Sequence, residues 1–122
     1  MDMDTKLSKV LDLLIQQTES GKLRWRESYG DSFQASLANQ TIVVSNVVFN
    51  PVLEIRDSRG DLVQQVGTNP ATDLFADAKE QRKIFTDSRL QHKVEQLFNL
   101  LKEKKETKIN LTLDNLLSEL EK

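Results

Sequence analysis

The sequence predicts an α+β fold. It reads as an N-terminal helix, an antiparallel β-meander of four to five strands, and C-terminal helices packed on one sheet face as a two-layer sandwich. Three observations carry this. Apolar residues near the start recur at helical spacing. Between residues 22 and 67 apolar and polar residues alternate, with turn-forming residues between the runs. Beyond residue 88 the apolar residues return to helical spacing.

The first helix is expected over residues 4–20. Leu7, Val10, Leu11, Leu14 and Ile15 fall on one face, Asp4 or Thr5 can accept from the first free backbone N–H groups, and Gly21 follows the last turn. In the sheet, Leu23-Arg24-Trp25-Arg26 alternates and reads as a short first strand. Phe33-Gln34-Ala35-Ser36-Leu37 alternates strictly, and Asn39-Gln40 makes a turn before the strand at 41–44. Asn50-Pro51 reads as a break ahead of Leu53-Glu54-Ile55-Arg56. Asp57-Ser58-Arg59-Gly60-Asp61 is a hairpin turn, because Gly and Asx residues tolerate the backbone angles it needs. Phe33, Ala35 and Leu37 share one face, as do Leu53 and Ile55, while Gln34, Ser36, Glu54 and Arg56 take the other. One face is then apolar and one wet, and helices must cover the apolar one.

Residues 70–105 look helical but not as one straight rod. Asn69-Pro70 is a good start, with Leu74, Phe75, Ala78 and Phe85 on one face; Leu90, Val94, Leu97, Phe98 and Leu101 form a second face. At about 100° per residue these faces point about 150° apart, so a single rod would bury Arg82, Lys83 and Lys93. A break at Thr86-Asp87-Ser88 removes the conflict, and Ser88-Arg89-Leu90-Gln91 fits a capping box. The expectation is a short or mobile helix at 70–85, a firm helix at 88–105, and a separate terminal helix at 112–121. In that last helix Thr112 is the cap, Leu111 staples onto Leu116, and Leu113, Leu116, Leu117 and Leu120 form one stripe.

The totals narrow the function. A chain of 122 residues is expected to be one domain over 1–122, large enough to build a core without metals or cross-links. The formal net charge of −2 lacks the basic excess typical of nucleic-acid binders. With no cysteine, disulfides, thiol catalysis and thiolate metal sites are excluded. The acidic start Met1-Asp2-Met3-Asp4 has neither the basic residues nor the long apolar stretch of a secretory signal, so the expected location is the cytoplasm, with no membrane segment.

Reactive clusters are hard to find. The only histidine, His92, falls far from the apolar stripe of its helix and should face water. A lone histidine offers neither a Ser-His pair nor a zinc ligand set. Asp73 and Asp77 are four apart on one expected helix face, and Asp57 and Asp61 flank the hairpin; helix starts and turns explain both pairs without catalysis. No glycine-rich phosphate loop is present. The chain is therefore expected to be no enzyme and to carry no cofactor and no metal.

Three features remain as binding candidates. Arg24-Trp25-Arg26, with Tyr29 nearby, is either a strand with Trp25 in the core or a surface for stacking and anions. Lys79, Arg82, Lys83, Arg89 and Lys93 form a basic set diluted by Asp77, Glu80, Asp87 and Glu95. The stripe Leu113, Leu116, Leu117 and Leu120 lies on a helix too short to stand alone, so it packs either on its own domain or on another molecule.

The order of features resembles a type of small uncharacterised bacterial protein. The likeness rests on Thr18-Glu19-Ser20-Gly21-Lys22-Leu23-Arg24-Trp25, on Leu53-Glu54-Ile55-Arg56-Asp57-Ser58-Arg59-Gly60, and on Leu113-Asp114-Asn115-Leu116-Leu117-Ser118-Glu119-Leu120. It implies a bacterial cytoplasmic protein and brings no catalytic residues with it. The expected function is a non-catalytic protein-interaction or adaptor module with a protein partner or a homodimer. The alternatives are a small-ligand or anion sensor with Trp25 in its pocket, and nucleic-acid binding through Arg24, Arg26 and the 79–93 basic set.

Overall fold

The computed structural model describes residues 2–28, 30–47, 50–69, 73 and 77–122. The expectations for Tyr29, Pro70, Leu74 and Phe75 lie outside them. Helix α1 spans Met3–Glu19, capped by the Asp2 carboxylate, which accepts from Thr5 N. Its buried face is Leu7, Leu11, Leu14 and Thr18; Val10 is exposed on the flank of the expected stripe. Gly21, at φ +76°, reverses the chain after the last turn, a conformation that suits glycine.

The described strands are β1 (Arg26–Glu27), β2 (Ser32–Ser36), β3 (Gln40–Val47), β4 (Asn50–Asp57), β5 (Leu62–Val66) and β6 (Ile84–Phe85). They form one open sheet in the order β1-β2-β3-β4-β5-β6. β1 to β5 pair antiparallel in sequence order, as the alternation predicts. Three details differ. β1 begins at Arg26 rather than Leu23. Asn50 and Pro51 belong to β4, opposite Val47 and Asn46, at the first positions of the strand where a missing N–H is tolerated. The sheet also has a sixth strand, β6, parallel to β5 with Val66 opposite Phe85. The expected 70–85 helix is replaced near its end by a one-turn helix, α2 (Ala78–Gln81), and this strand.

The C-terminal part departs most. The expected helices at 88–105 and 112–121 are a single helix, α3, over Ser88–Leu120, about 50 Å long. Nothing between 102 and 112 breaks it: the stretch holds no Gly or Pro and is rich in Lys and Glu, which are good helix formers. Thr112 does not cap a new helix. Its hydroxyl donates back to Lys108 O at 2.9 Å, the in-helix alternative for a threonine. The break ahead of α3 falls where charge burial demanded it, but the cap is Asp87, whose carboxylate accepts from Arg89 N at 2.8 Å. Gln91, free of capping duty, donates instead to Pro51 O at 2.7 Å.

The core joins the helices to one sheet face. Leu7, Leu11 and Leu14 of α1, Leu90, Val94, Leu97, Phe98 and Leu101 of α3, and Phe33, Ala35, Ile42, Val44, Leu53 and Val66 of the sheet form one buried cluster. Phe33 meets Phe98 edge-on at 6.0 Å between ring centres. Lys93 Nζ ties α3 to α1 through Asp12 at 2.7 Å and Ser8 at 2.8 Å. Leu37, expected on the apolar face, lies past the end of β2 and is exposed. The reverse face is not uniformly wet either, since Val52 and Gln65 are buried there. Gln65 is satisfied in place: its amide donates to Gly67 O at 3.0 Å and to the Asp73 carboxylate at 3.3 Å.

Candidate functional site

Burial along α3 stops abruptly. Leu101 is the last buried residue, Lys105 is half-buried, and every residue from 106 to 120 is exposed. The helix therefore continues about 22 Å past its last buried turns. Its outer half is not a polar rod. Ile109, Leu113, Leu116 and Leu120 are spaced four, three and four residues apart and lie within about 60° of each other around the helix. Leu117 widens this seam and Leu111 lies on the opposite side. All six are between 46% and 81% exposed, so the domain's described residues give them no cover. The seam is not an extension of the core face: it is turned about 90° from the line through Leu90, Val94 and Leu101.

The sequence singled out Leu113, Leu116, Leu117 and Leu120, and the structure brings them together on that seam. Ile109 falls ahead of the expected helix start at Thr112 and so stands outside that stripe. The four-residue step from Ile109 to Leu113 was the available signal. Contiguous exposed apolar patches mark interaction sites more often than singly exposed apolar residues do.

Arg24, Trp25 and Arg26 occupy a second place of interest. Trp25 is half-buried against the core, while both arginines are exposed. The Trp25 indole N–H donates to Thr18 Oγ1 at 2.9 Å, and that hydroxyl donates to Leu14 O at 2.6 Å. The single tryptophan thus staples the chain after α1 onto the helix. Beside it lies a groove of about 550 Å³ between the end of α1, β1 and α3. Leu23, Phe33 and Leu101 make its floor; Arg26, Lys104, Lys105 and Lys108 stand around it, with Glu27 paired to Lys105 at 3.3 Å.

The remaining candidates are dispersed. Lys79 and Lys83 border a groove of about 510 Å³ over the reverse sheet face, together with Glu54, Asp61, Asp73 and Asp77, and Lys83 Nζ donates to Leu62 O at 2.9 Å. Arg89 and Lys93 border another groove with Asp4, Asp12 and Asp87. Four of the five expected basic residues are therefore split between two mixed-charge surfaces, and Arg82 is exposed and borders neither. Asp77 caps α2 in extended conformation, so Asp73 and Asp77 do not share a helix face. Asp57 accepts from Arg59 N and Asp61 N at 2.9 and 3.0 Å and shapes the hairpin. His92 is exposed, with Glu95 4.0 Å away. Among the described residues, no group of three or more His, Asp or Glu side chains is placed to hold a metal, and no helix is long and apolar enough to cross a membrane. Comparison of the chain with known protein families, curated proteins and solved structures finds no match.

Proposed function

We propose that this chain is a non-catalytic protein-interaction module, with the outer half of α3 as its binding element. α1 and α3, laid on one sheet face as a two-layer sandwich, act as the platform that anchors the helix. The observation that carries the reading is the exposed seam of Ile109, Leu113, Leu116 and Leu120 on a helix continuous with the core. Helix-in-groove and helix-pairing recognition both use anchors at this spacing. The test compares capture by the wild-type chain with capture by the Leu113→Asp/Leu116→Asp variant, whose melting temperature should be unchanged because both residues are outside the core. A binding protein retained by the wild type and lost by the variant fits the reading. Identical captured sets on both sink it.

The groove beside Trp25 favours a second reading, a site for a small anion with an apolar body. An apolar floor under four cations suits such a ligand. Titration of aromatic carboxylates against the emission of the single tryptophan tests it; saturable quenching that weakens with Lys104→Ala/Lys108→Ala is the expected result, and no saturable change rules it out.

A further inference from the structure

We infer that the seam on the outer half of α3 pairs antiparallel with the same seam on a second copy of this chain. The inference rests on the reading of the seam as a binding element and adds the identity of its occupant.

The spacing of four, three and four is the same read in either direction. Turning one helix end for end therefore places Ile109 against Leu120 of a second copy and Leu113 against Leu116, so every layer is apolar. Such a pair is related by a two-fold axis and is closed, with the same surface used on both sides.

A parallel pair would also stack apolar layers, and charge separates the two. The inner part of the segment is basic: Lys102, Lys104, Lys105 and Lys108 outnumber Glu103 and Glu106. The outer part carries Asp114, Glu119 and Glu121 before Lys122. Parallel alignment sets like charge beside like at each level. Antiparallel alignment brings the outer end of each helix, three acidic residues against one lysine, toward the inner part of the other, four lysines against two glutamates. It also holds the two folded bodies at opposite ends of the pair, where they do not compete for space.

A seam of four to five side chains on each copy is at the small end of specific interfaces, which bury about 1,000 Å² or more. The dimer should therefore be weak and reversible at micromolar concentrations.

The chain has no cysteine, so engineered cysteines report without background. In the antiparallel pair, chains carrying Ile109→Cys and chains carrying Leu120→Cys face each other across the seam, within the roughly 6 Å between Cα atoms that a disulfide spans. In a parallel pair those sites are about 16 Å apart along the axis. The expected result is that mixing the two full-length variants gives a disulfide between positions 109 and 120 in excess of either self-linked product. Sedimentation equilibrium of the wild type should show a dimer that Leu116→Glu weakens about tenfold or more. A self-linked Ile109→Cys product without the mixed one overturns the arrangement, and a strict monomer at about 100 µM overturns the second copy. In the monomer case, a different protein still captured through Leu113 and Leu116 would leave the interaction reading standing. Loss of that capture as well would remove both.

Discussion

Replacing Thr18 by valine tests the polar contact that ties the Trp25 ring to α1. Thr18 is 1% exposed, and its hydroxyl is the partner of the indole N–H at 2.9 Å. Valine keeps the shape and has a similar helix propensity, so the backbone of α1 should not change. Leu14 O loses the hydroxyl but keeps the backbone N–H that each helical turn supplies. The cost is then mainly that of an indole N–H left without its partner. A fully buried orphan costs about 1–3 kcal/mol, and because Trp25 is only half-buried the lower part of that range applies, about 1–2 kcal/mol. For a chain of this size that lowers the melting temperature by about 4–8 °C. Urea unfolding followed by the emission of the single tryptophan measures both the stability and the setting of the ring. Thr18→Ser is the control: it keeps the hydroxyl, loses one methyl worth about 0.8 kcal/mol, and should leave the native emission maximum in place. A valine variant with wild-type stability and emission would refute the assignment of this bond as the anchor of the segment.

Leucines on α3 should behave in opposite ways according to position. Leu97→Ala, at a side chain with no exposure, should cost about 2–5 kcal/mol in denaturant melts, whereas Leu116→Ala should change the stability of the dilute monomer by less than about 0.5 kcal/mol. Gly67 has φ +97°, and a Cβ there would sit 2.8 Å from Gln91 Oε1 and 3.1 Å from Pro51 O. Gly67→Ala should therefore cost about 2–4 kcal/mol from backbone strain and the displaced Gln91 bond, as read by calorimetry. The backbone N–H of Arg89 holds the Asp87 carboxyl below the ordinary aspartate range, and the Thr5 hydroxyl, with the Thr5 backbone N–H, lowers that of Asp2. Because these native values are depressed, the stability they confer is complete above the unfolded value of about 3.9 and disappears as pH falls through the native value. Asp87→Ala should lower the melting temperature at neutral pH and flatten its fall in acid.

The fold was readable where burial imposes a simple period. Leu7, Leu11 and Leu14 mark one helix face, and Phe33, Ala35, Leu53 and Ile55 mark one sheet face, so α1 and β2 to β5 stand close to their expected bounds. It was not readable where tertiary contacts override local pattern. Ile84 and Phe85 have too little sequence to declare a strand; they become one by pairing beside Gln65 and Val66. Val52 and Gln65 are buried on the expected wet face, and the groups that accept from the Gln65 amide, Gly67 O and the Asp73 carboxylate, lie beyond the end of β5, where alternation along the strand does not reveal them. Thr112 suits a cap as well as a helix interior, and only the structure shows that its hydroxyl bonds backward to Lys108 O within one helix. The expected division into two helices also hid part of the candidate site. Four seam leucines were visible as a stripe, but Ile109 and the projection of the whole segment away from the domain follow only from helical continuity. The Trp25 groove depends on residues from three distant segments, which no local period brings together.

Continuity also fixes a bearing. One unbroken helix carries both the side chains that grip the sheet and the row that faces outward, so the compass direction of the row is set by residue count alone. A single alanine inserted between Glu103 and Lys104 would leave the inner grip as it is, swing the outer row through about 100°, and advance it about 1.5 Å. A partner held by that row would be re-aimed relative to the sheet with the core contacts intact and the Lys105–Glu27 pair lost, so the count of residues between the two rows is itself part of what the chain encodes.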